Sequence, residues 1–123
     1  IEINLSGEVQ KFGFKQDTEA SVGDELAMAL RALLHCPQLQ WAGLMGMGTV
    51  GGDESTCGRQ FQSLRNLATR LSNDFKVPPL QLSMGMSDDY PLALAHGSTM
   101  LRIGSLLFSR EAREARRAPR DEK

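Results

Sequence analysis

The stretch over residues 80–108, LQLSMGMSDDYPLALAHGSTMLRIGSLLF, constrains the fold of this chain most strongly. It holds two apolar runs, each followed by a turn rich in glycine and serine, and a short helical pattern separates them. Such junctions, one short helix apart, predict two neighbouring parallel strands whose ends lie side by side. The small residues at those ends leave backbone N–H groups accessible near a helix N-terminus, an arrangement that binds anions; they are Ser83, Gly85, Ser87, Gly104 and Ser105. The residues alone therefore favour a phosphate-bearing ligand.

The pattern of apolar residues along the whole chain predicts strands alternating with helices. We predict strands over residues 1–6, 41–47, 80–84 and 99–104, and helices over residues 20–35, 58–74 and a short segment ending at Gly97. Ser87 or Asp88 is expected to cap that short helix, and residues 7–21 are expected to form a loop. The order βαβαβαβ implies a parallel sheet, and ligands of such sheets bind at the carboxyl ends of the strands.

Composition and charge exclude several classes of function. The net charge of −1 over 123 residues gives no support for binding to nucleic acid or to an anionic membrane. No apolar run approaches the roughly 18 residues of a membrane-spanning helix. Cys36 and Cys57 lack the spacing of a disulfide framework or a zinc site, and the two histidines are dispersed, so no metal site is predicted. We expect a reducing, cytoplasmic compartment.

The two ends of the chain are expected to differ in character. Residues 1–109 are predicted to form one domain, and residues 110–123 a charged tail that is exposed or frayed. The chain starts with Ile1 inside a predicted strand, so its N-terminus is expected to be a cut edge.

Three stretches together resemble successive signatures of the pyridoxal phosphate homeostasis protein family, the alanine-racemase-like single-barrel proteins that bind pyridoxal 5'-phosphate (PLP). They are IEINLSGEVQKFG, WAGLMGM and LSMGMSDDYPLALAHGSTMLRIGSLLF. The resemblance implies a (β/α)8 TIM barrel of about twice this length, of the alanine-racemase N-terminal-domain type. The four predicted strands resemble the last four of that barrel. The expected fold is therefore an α/β parallel half-barrel, the C-terminal half of the family's domain.

The resemblance also implies a cofactor site. Ser83 matches a serine that contacts the PLP phosphate, and Gly104 and Ser105 match a backbone pair that surrounds the same phosphate. Arg102 matches an arginine facing the pyridine nitrogen, where a cation keeps that nitrogen unprotonated. An unprotonated ring is a weak electron sink, so the family implies a PLP carrier and regulator of intracellular PLP, with no catalytic residue expected here.

The Schiff-base lysine of the family lies on the first barrel strand, which has no counterpart in this chain. The lysines present are Lys11, Lys15, Lys76 and Lys123. Of these, only Lys11 belongs to a loop at the rim of the site in the family, and it is a weak candidate for that role.

Two other functions stay open at the level of sequence. A racemase relative would need a tyrosine as general acid, and the only tyrosine, Tyr90, starts a helix. A non-binding half-barrel could serve as an interaction module, associating with itself or with the missing half through open edges at residues 1–5 and 99–104. On the residues alone, Arg102 also fits an exposed charge on an edge strand.

Overall fold

The computed structural model describes residues 1–15, 23–111 and 114 of the chain. These residues form a five-stranded parallel sheet with α-helices in the connections. The elements are β1 (Glu2–Asn4), β2 (Phe14–Lys15), α1 (Asp24–Leu34), β3 (Gly43–Gly46), α2 (Glu54–Phe75), β4 (Gln81–Met86), α3 (Tyr90–Ala95), β5 (Met100–Arg102) and α4 (Ser105–Phe108).

The strand order in the sheet is β2-β1-β3-β4-β5, and every neighbouring pair is parallel. The four predicted strands and the parallel α/β class are confirmed, and the sheet does not close. Pairing places Met45 beside Ser83 and Ser83 beside Met100, so these three residues form one row across the sheet. The carboxyl ends of β3, β4 and β5 therefore meet at one edge.

Strand β2 is an addition that the sequence analysis did not predict. Residues 7–21 were expected to form a loop, but Phe14 pairs with Ile3 of β1. Gly13 permits this approach, since an added Cβ there would lie 2.8 Å from the backbone nitrogen of Asn4. The prediction that β1 is an outer strand is thus wrong, because β2 flanks it, while β5 is an outer strand as expected.

The hydrophobic core lies between the sheet and its helices. Helix α2 supplies much of it, because its apolar residues recur at helical spacing and are fully buried at Phe61, Leu64 and Leu71. The helix begins four residues earlier than predicted, because the carboxylate of Asp53 accepts a hydrogen bond from the Thr56 N–H at 2.6 Å. The same hydrogen bond lowers the pKa of Asp53.

Helix α3 starts differently from the expectation. Neither Ser87 nor Asp88 caps it; the helix follows Asp89, whose Oδ1 accepts a hydrogen bond from the Met86 N–H at 2.7 Å. Gly97 follows the end of the helix with φ of +89°, as expected for a glycine at that position.

Gly85, at the carboxyl end of β4, shapes the edge of the sheet that carries the polar residues. Its φ is +97°, and an added Cβ would lie 2.7 Å from the Cβ of Ala93 and 2.9 Å from Cδ2 of Leu101. We expect Gly85→Ala to destabilise the fold by about 2–5 kcal/mol, because left-handed strain and overpacking both act there. Gly51 (φ +69°), with nothing within 4 Å, is the matched control.

Urea denaturation of both variants checks this prediction. Gly51→Ala should lose only the strain contribution, about 1–2 kcal/mol. Equal losses in free energy of unfolding would show that packing at Gly85 contributes nothing.

Most of the charged tail predicted at residues 110–123 lies outside the described residues. Of the part that is described, Arg110 pairs with Glu114 at 3.0 Å. Across the described ranges, none of the helices combines the length and apolar character needed to cross a membrane. The same ranges hold no group of three histidine, cysteine or acidic side chains placed to bind a metal ion.

Candidate cofactor site at the carboxyl edge of the sheet

Arg102 of β5 reaches across two neighbouring strands. Its Nη1 donates hydrogen bonds to the Ser83 carbonyl at 2.8 Å and to Ser83 Oγ at 2.6 Å. Its Nη2 donates to the carbonyl of Gly46 at 3.1 Å. One guanidinium thus links β3, β4 and β5, so Arg102 is not the solvated edge charge that the residues alone also allowed.

The Arg102–Ser83 pair lies on the face of the sheet opposite the helices. Leu82 and Met84 are buried in the core, and strand alternation turns Ser83 to the other side. On that side Met100, in register with Ser83, is 55% exposed. In TIM barrels the corresponding face of the sheet points into the barrel. The ligand site lies above that interior, at the carboxyl ends of the strands.

The turn from β5 into α4 carries the other predicted site residues. Gly104 is the N-cap of α4 and Ser105 is its first residue; both are exposed. Among the hydrogen bonds of the described chain, the Ser105 N–H has no acceptor, as is usual for the first turn of a helix. The next donor, the Leu106 N–H, bonds to Ser87 Oγ at 3.1 Å.

The residues alone placed Ser87 in the expected anion pocket and also allowed it as a helix cap, whereas the family resemblance gave it no role. Its hydroxyl instead bridges the carboxyl end of β4 and the start of α4. Ser87 follows β4 directly, and Gly104 comes two residues after the end of the neighbouring strand β5.

The structure brings Ser83 and Arg102 into contact but does not show Ser83 beside Gly104 or Ser105. Ser83 pairs with Met100, four residues before Gly104. Met86 pairs with Arg102, so the ends of β4 and β5 lie three residues beyond Ser83 along β4, about 10 Å at the usual rise of a strand, and α4 starts after them. Two groups of polar atoms therefore follow one another along the site: Ser83 with Arg102, then Ser87 with Gly104 and Ser105.

A hydrogen-bonded loop follows β1, whose carboxyl end lies beside that of β3. Asn4 is only 7% exposed, and its side chain bonds to the carbonyls of Glu8 and Lys11 and to the Gly7 N–H. Lys11 Nζ pairs with Glu8 Oε2 at 2.6 Å. Hydrogen bonds from Lys11, which has the larger effect, and from Ser6 lower the pKa of Glu8.

The other lysines and the tyrosine that were considered for a role in the site lie in separate parts of the chain. Lys15 lies in β2, Lys76 follows the end of α2, and Lys123 is outside the described residues. Tyr90 begins α3, next to Gly85.

This geometry defines a class of protein: an open parallel α/β sheet of the TIM-barrel type, with its polar groups at the carboxyl ends of the strands. The chain belongs to the alanine racemase N-terminal domain family, whose model matches residues 7–111.

Within that family, the chain is similar to proteins named pyridoxal phosphate homeostasis protein, which confirms the resemblance noted in the sequence. It is 39% identical over 110 residues to the Escherichia coli K12 protein and 36% identical over 111 residues to the human protein. Those alignments cover 88% of this chain but 43% and 38% of the two relatives. The chain thus spans less than half the length of these relatives.

A solved structure gives the same result for the fold. PipY of Synechococcus elongatus PCC7942, in a structure without PLP, matches with a TM-score of 0.73 and 32% identity. The match covers 87% of this chain and 47% of PipY.

Proposed function

We propose that this chain is a PLP-binding protein of the PLP homeostasis type, which contributes the phosphate and pyridine side of a cofactor site. The names of its relatives support the ligand. The observation that carries the proposal is the position of Arg102, a cation held over the face opposite the helices, on the strand that leads into α4.

The residues at the start of α4 suit a phosphate group. The Ser105 N–H and the hydroxyls of Ser105 and Ser87 are hydrogen-bond donors, and N–H groups in a first helical turn favour an anion. An added Cβ at Gly104 would meet nothing within 4 Å, so a ligand can approach this backbone closely. We therefore assign the phosphate to Gly104, Ser105 and Ser87, with Ser83 retained as a further candidate from the family resemblance.

Arg102 suits the pyridine nitrogen of the cofactor. When bound, PLP supplies an aldehyde and an electron-accepting ring. A guanidinium facing the ring nitrogen disfavours a second positive charge there, which weakens that electron sink. This chemistry therefore favours a PLP carrier over an efficient PLP-dependent enzyme. Tyr90 begins α3, and this position at the start of a helix counts against a role as the general acid that a racemase would need.

The location of the protein is part of the same proposal. Cys36 and Cys57 are free thiols, which suits a reducing compartment such as the cytoplasm.

Comparing PLP with pyridoxal, which lacks the phosphate, tests the proposal by equilibrium dialysis. The chain should bind PLP more tightly. Combining Ser87→Ala with Ser105→Ala should weaken PLP binding at least tenfold, since each hydrogen bond to a charged group is worth about 1.5–3 kcal/mol. Pyridoxal binding should change little. The family-implied pair, Ser83→Ala with Ser105→Ala, should lose a few kcal/mol at most.

The control is Ser55→Ala, at an exposed position in the first turn of α2. It should bind both ligands as the parent chain does. Equal affinity of the parent chain for PLP and pyridoxal would refute the proposed phosphate site.

A further inference from the structure

We infer that Ser83 is a positioning residue for Arg102: together with the Gly46 carbonyl, it orients the guanidinium toward the pyridine edge of the ligand and does not itself bind the phosphate. The inference rests on the proposed function. It differs from the role that the family resemblance implied for Ser83.

The hydrogen bonds of Arg102 account for its orientation. A guanidinium has five N–H donors and no acceptor. Three of them bond to the Ser83 carbonyl, Ser83 Oγ and the Gly46 carbonyl. Within the described structure, Nε–H and one Nη2–H are left for a ligand. Because three acceptors on two strands hold the planar group, these two donors have a defined direction.

The Ser83 hydroxyl is the only one of these three acceptors that a side-chain substitution can remove. It lies on β4, between the strand that carries Arg102 and the strand that carries Gly46. Its 2.6 Å contact is also the shortest of the three. Removing the hydroxyl leaves two acceptors, the carbonyls of Ser83 and Gly46, so the guanidinium is held less firmly in its orientation.

The position of Ser83 along the strand argues against a phosphate contact. The start of α4, with its N–H donors, comes after the strand ends, which lie about 10 Å further along the sheet. Ser87, not Ser83, bonds to the backbone there.

A double-mutant cycle on PLP affinity tests the inference. Arg102→Ala should weaken PLP binding about tenfold or more, and Ser83→Ala by a smaller factor, because in that variant Arg102 is present but poorly oriented. The double variant should bind PLP no more weakly than Arg102→Ala alone. Ser83→Thr retains a hydroxyl and should restore most of the affinity. Additive losses would overturn the inference, since they would mean that Ser83 contacts the ligand independently.

Inorganic phosphate provides a second probe, followed by NMR chemical-shift titration. Ser83→Ala should leave phosphate affinity unchanged, whereas Ser87→Ala combined with Ser105→Ala should reduce it. A loss of phosphate affinity in Ser83→Ala would show that Ser83 is a phosphate ligand and that the inference is wrong.

A measurement without ligand separates this inference from the proposed function. The Nε–H resonance of Arg102 should report an ordered side chain in the parent chain and in Ser83→Thr, and a mobile one in Ser83→Ala. If the parent chain binds no PLP, the proposed function fails, and this resonance still decides whether Ser83 positions Arg102. Unchanged mobility in Ser83→Ala would overturn the inference.

Discussion

Incubation of this chain with PLP, followed by borohydride reduction, should leave no single lysine stoichiometrically modified. A lysine that forms a lasting bond with PLP needs an amine held against the cofactor aldehyde and partly neutral. Nζ of Lys11 forms an ion pair with Oε2 of Glu8 at 2.6 Å, in the loop after β1. Lys15 lies on the outermost strand, and Lys76 follows the end of α2, away from the carboxyl edge of the sheet.

Peptide mass spectrometry after reduction measures this outcome. We expect weak labelling spread over several lysines. A full-length relative is the positive control, because the family resemblance places the attachment lysine on a strand without a counterpart here. One fully labelled lysine peptide would contradict the assignment of this chain as the phosphate and pyridine side of the site. Lys11→Arg would then be the variant to examine.

Replacing Phe61 by alanine should remove about 3–5 kcal/mol of stability, because a large aromatic ring leaves a cavity in a packed core. Phe61 is 0% exposed, and small domains have only about 5–15 kcal/mol in total. Cζ of Phe61 also lies 3.4 Å from where a Cβ would project at Gly48, just after β3. The cavity should therefore loosen the loop beside the site as well as the core.

Phe12 offers a matched control for this substitution, because this phenylalanine is 85% exposed in the loop after β1. Phe12→Ala should change the free energy of urea unfolding by no more than about 0.5 kcal/mol. A loss below about 1 kcal/mol in Phe61→Ala would show that α2 does not form the core described above.

Local patterns in the sequence were sufficient for the elements whose side chains repeat at a regular period. The helical spacing of Phe61, Leu64 and Leu71 predicted α2; apolar–polar alternation predicted β1, and short apolar runs followed by glycine predicted β3, β4 and β5. The motif over residues 80–108 also identified the family, because its glycines and serines occur at the spacing that the family uses. These features depend on neighbours within a few residues, so they can be read without the fold.

The tertiary structure decided the features that depend on residues far apart in the chain. Strand β2 has only two residues and exists through its pairing with β1, which no periodic pattern announces. Ser87 looked like a cap, yet its partner is the Leu106 N–H, 19 residues away. Arg102 binds Gly46 across 56 residues. Strand alternation places Arg102 on the opposite face of β5 from Leu101 and Ile103, but only the assembled sheet supplies the carbonyls and the hydroxyl that orient its charge.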